Sequence, residues 1–264
     1  MKILSIILFV VLFIMSSLQG AFLQFPPSAK SAALSGISLL DNSSSTMFIN
    51  PATMGTGPKF SSTYGIPFSY KGISYKNISG SYSFGRVTLG LGFQDFGDEI
   101  YKEQTFMLAA NAEILKKLRM GVGARFLNDK TKGMDSQTAY QFDLGMLAKH
   151  EKLMFSTSFL NISFSELKND PLPQENRTFI SYRIAENLEA GCGFIKEFDY
   201  AFSFRVGIAY YPIKNAGFFS GFHTEPNQFT AGVEFNLAGI KIQYAIETHE
   251  FLKLSHYMTI GYGK

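Results

Sequence analysis

The sequence predicts an all-β fold, a transmembrane antiparallel β-barrel of about 14 strands with an N-terminal plug segment. Three observations predict it. Apolar side chains recur with a period of two over most of the chain, connecting stretches alternate short and long, and an apolar leader opens the sequence. Composition agrees. A length of 264 residues bounds the chain to one or two domains. Charged residues make up 17%, below the roughly 25% of an ordinary soluble domain. Aromatics make up 15%, with 27 Phe, 13 Tyr and no Trp. Mean hydropathy is too low for a bundle of membrane helices. The formal charge of +3, with no basic block, gives no reason to expect a nucleic-acid partner.

Residues 1–20 read as a signal peptide. Met1-Lys2 precedes an apolar run, Ile3 to Met15, broken only by Ser5, and small residues then lead to Gly20-Ala21. The run is too short at 1.5 Å per residue to cross a ~30 Å hydrocarbon core as an anchor. Cleavage is expected after Gly20 or Ala21, and with no Cys at that point the chain is not read as a lipoprotein. Cys192, the single cysteine, cannot form an intramolecular disulfide. Stability of an exported chain without disulfides has to come from a sheet or a core.

Residues 21–58 have a different texture and read as a plug. Phe22-Leu23-Gln24-Phe25-Pro26-Pro27 leads into Ser28–Leu40, where Ser28–Leu34 suits a turn or two of helix. Asp41-Asn42-Ser43-Ser44-Ser45 and Met47-Phe48-Ile49-Asn50-Pro51-Ala52 follow. The stretch is too apolar for a solvated tail. In Asn50-Pro51-Ala52 the proline fixes φ and the asparagine favours turns. The tripeptide reads as a hinge that pins the plug where it meets the first strand, with direct ligand contact as the alternative.

Residues 59–264 read as the barrel. In Ala201–Tyr210, Phe202, Phe204, Val206, Ile208 and Tyr210 alternate with Ala201, Ser203, Arg205, Gly207 and Ala209. Gln228–Leu237, Thr105–Ile114, Leu118–Phe126 and Arg86–Gln94 repeat the pattern. Alternation gives each strand one apolar face and one polar or glycine face. The 206 residues from Lys59 onward divide into about fourteen units of ~15, which suits tilted strands of ~9–11 residues crossing a bilayer.

Short turns are expected at Gly85, Lys116-Lys117, His150-Glu151, Glu186-Asn187, Lys214-Asn215 and Ala238-Gly239. Longer polar stretches are expected at Pro67–Lys71, Asp95–Glu103, Asn128–Gln137, Ser165–Arg177 and Thr248–Lys253, while two intervening turns, near Glu197–Asp199 and Glu225–Asn227, are short too and weaken the alternation on the C-terminal side. Short turns on one rim and long loops on the other characterise outer-membrane barrels, with both termini then periplasmic.

A barrel in lipid must close, because every backbone amide needs a partner there. Its apolar faces would meet lipid, and its polar faces would meet the lumen. Glu113, Arg119, Arg125, Asp143, Arg205 and Glu234 are the expected lumen-facing charges, read as pairing across the lumen and holding the plug, or as lining a polar path. Glycines on the same faces, Gly121 and Gly232 among them, imply that something approaches the wall closely from inside. A soluble lipocalin-like barrel or two-sheet sandwich, the alternative, would reverse the faces. His150, His223, His249 and His256 are scattered without metal-ligand spacing. Ser255 and His256 point to opposite faces of one strand. No catalytic, metal or cofactor site is therefore expected, and the chain is not read as an enzyme.

The run Phe22–Gly36, an aspartate at position 41, Asn50-Pro51-Ala52 and the C-terminal Leu254–Tyr262 resemble the PorV/PorQ-type outer-membrane barrel family, relatives of the FadL-type transporters. The resemblance implies fourteen-stranded barrels with an N-terminal plug in the cell outer membrane of a Gram-negative-type envelope. It implies protein secretion or surface attachment of the type IX kind, with exported cargo proteins or secretion components as partners. The alternative it carries is FadL-like passive passage of hydrophobic compounds such as fatty acids, with a hydrophobic small molecule as partner.

Overall fold

The computed structural model describes residues 22, 24–55, 59–198 and 200–263. The leader at 1–20 lies outside the described residues. Fourteen strands make one closed antiparallel barrel. In chain order they are β1 (Lys59–Ile66), β2 (Ser74–Phe84), β3 (Val87–Gly97), β4 (Tyr101–Leu115), β5 (Leu118–Thr131), β6 (Gln137–His150), β7 (Leu153–Leu160), β10 (Glu175–Ala185), β11 (Leu188–Glu197), β12 (Phe202–Ile213), β13 (Ala216–His223), β14 (Gln228–Leu237), β15 (Ile240–Glu247) and β16 (Ser255–Tyr262). Between β7 and β10 a two-residue hairpin, β8 (Glu166–Leu167) and β9 (Asp170–Pro171), stands apart from the wall. The first and last strands close the cylinder, with Tyr64 opposite Met258 and Ser61 opposite Gly261. Closure pairs the edges that an open sheet would leave bare.

The period of two sets the faces. Phe202, Phe204, Val206 and Ile208 are each about half exposed on the outside, while Ser203 and Ala209 are buried. The same holds for Leu89 and Leu91 against Thr88, and for Phe142 and Leu144 against Gln141 and Asp143. Most large apolar side chains of the strands point away from the axis, while a smaller set that includes Leu127, Leu147, Phe179 and Phe219 is buried on the inner side. A soluble barrel with a greasy interior would show the opposite arrangement.

The six expected short turns are two residues each, at 85–86, 116–117, 151–152, 186–187, 214–215 and 238–239, and all lie on one rim. At Ala238-Gly239 both residues have positive φ, 53° and 90°, the geometry that a two-residue hairpin needs to follow strand twist. The opposite rim carries the longer connections, but two of them are tighter than the pattern suggests. Asp95–Glu103 is mostly strand. Only Asp98–Ile100 turns, closed by the Asp98 carboxylate, which accepts from the nitrogens of Ile100 at 2.7 Å and Tyr101 at 2.9 Å. The bonds from Tyr101 and Ile100 hold that carboxyl below the usual range. Asn128–Gln137 is likewise strand except for 132–136.

As a result β4, β5 and β6 are 15, 14 and 14 residues long and stand taller than their neighbours. Their upper ends are polar on both faces, which looks like loop in the sequence. Cross-strand bonds such as Gln104 to Asp95, 3.1 Å, extend the ladder there.

Residues 24–55 run inside the cylinder. Helix α1 (Ala29–Ala33) is capped by Ser28, whose hydroxyl accepts from Ser31 N at 2.9 Å and donates to Asp41 Oδ2 at 2.7 Å. Short 3-10 turns follow at Ser38–Leu40, Ser44–Phe48 and Pro51–Thr53. Leu34, Ile37, Met47, Phe48, Ile49 and Met54 are all buried. The segment therefore forms a core with the inner wall, although the wall's inner face is largely polar. The sequence reading places both chain ends on the short-turn side. β1 starts and β16 ends at that rim, but Phe22, the first described residue, packs against Leu127, Leu167 and Leu172 toward the long-loop rim.

Candidate functional site: the packed lumen and its aromatic mouth

The wall holds the inner segment through polar side chains that reach its backbone. The three arginines expected in the lumen each donate to a carbonyl of this segment. Arg119 Nη1 reaches Met54 O at 3.0 Å, Arg125 Nη2 reaches Phe48 O at 2.8 Å, and Arg205 Nη1 reaches Ser35 O at 2.9 Å. Ser35 and Gly36 have φ of 53° and 78°, so Arg205 binds where helix α1 turns away into left-handed backbone. Thr230 donates to Ala33 O, Ser158 to Ile49 O and Asn111 to Pro51 O, at 2.7, 2.9 and 2.9 Å.

Arg125 is the joint with the most partners. Its Nε lies 2.6 Å from Asp143 Oδ2, with both side chains essentially excluded from solvent, and its Nη1 donates to Gln24 Oε1 at 3.0 Å. Asp143 Oδ1 also accepts from Asn161 N at 3.0 Å. One buried pair thus ties the inner segment to the wall and to the place where the chain leaves β7. The other expected lumenal acids also face inward. Glu113 sits opposite Arg119 in the β4–β5 register at the short-turn end, and Glu234 accepts from Gln243 Nε2 at 2.7 Å.

Asn50-Pro51-Ala52 is wedged against β5, β6 and β7. Asn50 Oδ1 accepts from Ala52 N at 2.9 Å, while its Nδ2 donates to Thr157 O at 3.1 Å and Met146 O at 3.3 Å. Those two carbonyls belong to partner residues across the β6–β7 seam. The tripeptide fits because the wall is bare there. A Cβ on Gly121 would sit 2.5 Å from Ala52 N, and one on Gly145 would overlap Asn50 Oδ1.

Two open spaces flank the packed segment. At the short-turn end is a polar cavity of about 470 Å³ with Lys30, Asp41, Arg119, Lys149 and Glu234 on its wall. At the long-loop end lies an apolar cavity of about 560 Å³ lined by Phe68, Tyr70, Ile73, Phe96, Phe251 and Leu252. Its size is within the ~300–1,000 Å³ of small-molecule sites. Phe96 carries the apolar surface inward. It stacks on Phe25 of the inner segment with centroids 4.4 Å apart, and Phe25 meets Tyr75 at 5.4 Å. Tyr75 and Tyr257, both buried, belong to the same cluster. The sequence reading missed this aromatic file. Its inner member was legible as an apolar residue in a segment too greasy for a tail, but Phe96 lay inside a stretch read as loop.

Fold and lumen together define a class, the closed fourteen-stranded antiparallel barrel. Solved structures share it. The chain is similar over 92% of its length, and 98% of theirs, to the monoaromatic hydrocarbon channel CymD, at 13% identity and a TM-score of 0.65, and to the Pseudomonas putida toluene transporter TodX, at 11% and 0.67. A Pseudomonas aeruginosa FadL homologue aligns over 92% of this chain and 99% of its own at 9% identity and a TM-score of 0.63. At these identities it is the fold that is shared. No protein-family model and no curated protein matches the sequence.

The expected part in protein secretion or surface attachment does not stand. The similar structures named above are a monoaromatic hydrocarbon channel, a toluene transporter and a FadL homologue, and none is a secretion or surface-attachment protein. They include a FadL homologue, and none of them is a PorV/PorQ-type protein.

Proposed function

We propose that the protein spans the outer membrane and lets small hydrophobic compounds across it passively. The observation that carries this reading is the apolar cavity at the long-loop mouth, continued inward by Phe96, Phe25 and Tyr75. An entrance lined by aromatic and aliphatic side chains offers a hydrophobic solute a favourable place to leave water. The outward belt of half-exposed Phe, Leu, Ile and Tyr supports lipid as the surrounding medium. The similar structures, a monoaromatic hydrocarbon channel and a toluene transporter, support hydrophobic compounds as cargo.

In this reading residues 24–55 are the plug. Asn50-Pro51-Ala52 pins its end near the first strand, and the lumenal charges Glu113, Arg119, Arg125, Asp143, Arg205 and Glu234 hold it, leaving no wide aqueous pore. The short-turn rim then faces the periplasm.

The test is uptake of radiolabelled toluene and of a labelled fatty acid into proteoliposomes, with the closed barrel checked by its heat-dependent gel migration. Uptake of at least one above barrel-free vesicles is expected. Uptake equal to barrel-free vesicles, with the barrel shown to be closed, would overturn the reading.

A further inference from the structure

Glu103 is a nearly buried carboxylate, 9% exposed, on the lumenal face of β4. Its Oε1 accepts two hydrogen bonds, from the Tyr101 hydroxyl at 2.7 Å and from the backbone nitrogen of Phe22 at 2.9 Å. No Lys, Arg or His among the described residues forms an ion pair with it. Its cross-strand partner is another carboxylate, Asp129. A buried carboxylate beside a like charge is costly unless a cation offsets it.

Phe22 is itself buried, in a cluster with Leu127, Ala139, Leu167 and Leu172. The nitrogen delivered to Glu103 therefore sits in a fixed place. In the sequence that nitrogen follows Gly20-Ala21, the small residues that end the export leader. Two independent features meet there. One is a buried acid without a cation, and the other is the point where processing would create one.

We propose that the leader is cleaved between Ala21 and Phe22, and that the new α-ammonium of Phe22 forms a buried ion pair with Glu103. Hydrolysis by a leader peptidase consumes one water. The Ala21–Phe22 C–N bond breaks, the water oxygen goes to Ala21, which departs with a carboxylate, and the Phe22 nitrogen keeps the bonding electrons, takes up the two protons of the water and becomes positively charged. An amide with one N–H becomes an ammonium with three, and the charge appears where the acid lacks a partner. Processing thus locks the first residue of the mature chain into the long-loop mouth, next to the aromatic file. The inference rests on the export reading of the leader and not on what passes through the barrel.

The test is the full chain, exported in a Gram-negative host and purified from its outer membrane. Intact mass should begin at Phe22; a mature chain beginning at any other residue would overturn the proposal. Reductive methylation of folded protein near pH 7 gives the second readout. The α-amine should be labelled about tenfold more slowly in wild type than in Glu103→Gln, because an opposite charge no longer holds the proton in the variant. Equal rates would refute the ion pair. Should the variant fail to fold, wild type labelled folded and after denaturation in detergent decides. Protection only when folded is expected, and equal labelling in both states sinks the proposal.

Discussion

The two ends of the lumen differ in chemistry although the same strands build both. Toward the long loops the space is aromatic, with Phe96 stacked on Phe25 and open apolar surface from Phe68 and Phe251. Toward the short turns it is ionic, with Lys30, Arg119 and Lys149 facing Asp41 and Glu234. Lys30 shows how the two meet. Its Nζ donates to the Tyr211 hydroxyl at 2.6 Å and lies 5.0 Å from the Phe219 ring centre, so a buried cation is met by aromatic groups. The packed segment at 24–55 separates the ends, and its outer face is set by Phe25 while its inner face is set by Asp41. The difference teaches that an apolar solute has a favourable place at one end only. The packed segment stands between the two ends, which makes the strength of the joint that holds it the quantity to perturb.

The largest effect is expected at Arg125. Arg125→Met leaves Asp143 buried without its cation, and removing one member of a buried pair typically costs about 3–5 kcal/mol. The bonds to Gln24 and Phe48 are lost with it. Trypsin cleavage at Lys30, blocked in wild type by burial, should become detectable, and the temperature of the gel-migration shift should fall. The double variant Arg125→Met with Asp143→Leu removes both charges and should recover much of the loss. If Lys30 stays protected in the single variant, the pair is not what holds the segment.

Sequence reading reached the ionic end better than the aromatic end, for a physical reason. Side-chain direction on a strand follows from parity alone, so Arg119, Arg125, Asp143 and Arg205 could be placed on the lumenal face from the sequence. Which charge meets which depends on register. Arg125 stands opposite Gln141, and Asp143 is the next inward residue along β6, a relation that no local pattern carries. The aromatic end was hidden twice. The polar upper parts of β3 and β4 looked like loop, so Phe96 had no face, and its partner Phe25 comes from a segment whose path inside the barrel leaves no periodic trace. The short-turn rim was legible because two-residue hairpins need particular residues, whereas the long-loop rim has no such rule.

A middle-sized effect is expected where the segment touches bare wall. Gly145→Ala puts a methyl group onto Asn50 Oδ1 and within 3.1 Å of Ala52 N. The strand cannot retreat without breaking its pairing, so the tripeptide must move, at about 1–3 kcal/mol for such overpacking. Hydrogen exchange at the Ala52 amide, now held by Asn50 Oδ1, should accelerate while the barrel amides stay protected. Gly80→Ala serves as the comparison, because a Cβ there meets only Lys59 O at 3.7 Å. Equal exchange at Ala52 in both variants would show that close approach at Gly145 does not position the tripeptide.

The smallest effect is expected at Phe96, and it tests the aromatic end alone. Phe96→Ala removes the stack with Phe25 and part of the cavity wall but touches none of the hydrogen bonds that hold the segment. An aromatic probe stacked on the Phe96 ring would gain about 0.5–1.5 kcal/mol beyond area burial from that contact, so in Phe96→Ala it should lose roughly 2- to 12-fold in affinity. Trypsin resistance at Lys30 should be unchanged, because Lys30 is held by Tyr211 and Phe219 on the far side of the joint. Phe96→Leu keeps the apolar surface without the ring and separates the two contributions. If it behaves like wild type, hydrophobic area suffices and the solute need not be aromatic. If it behaves like alanine, the stack itself selects aromatic compounds. Loss of trypsin resistance in Phe96→Ala would mean that the two ends are coupled, and the contrast between them would then describe one site instead of two.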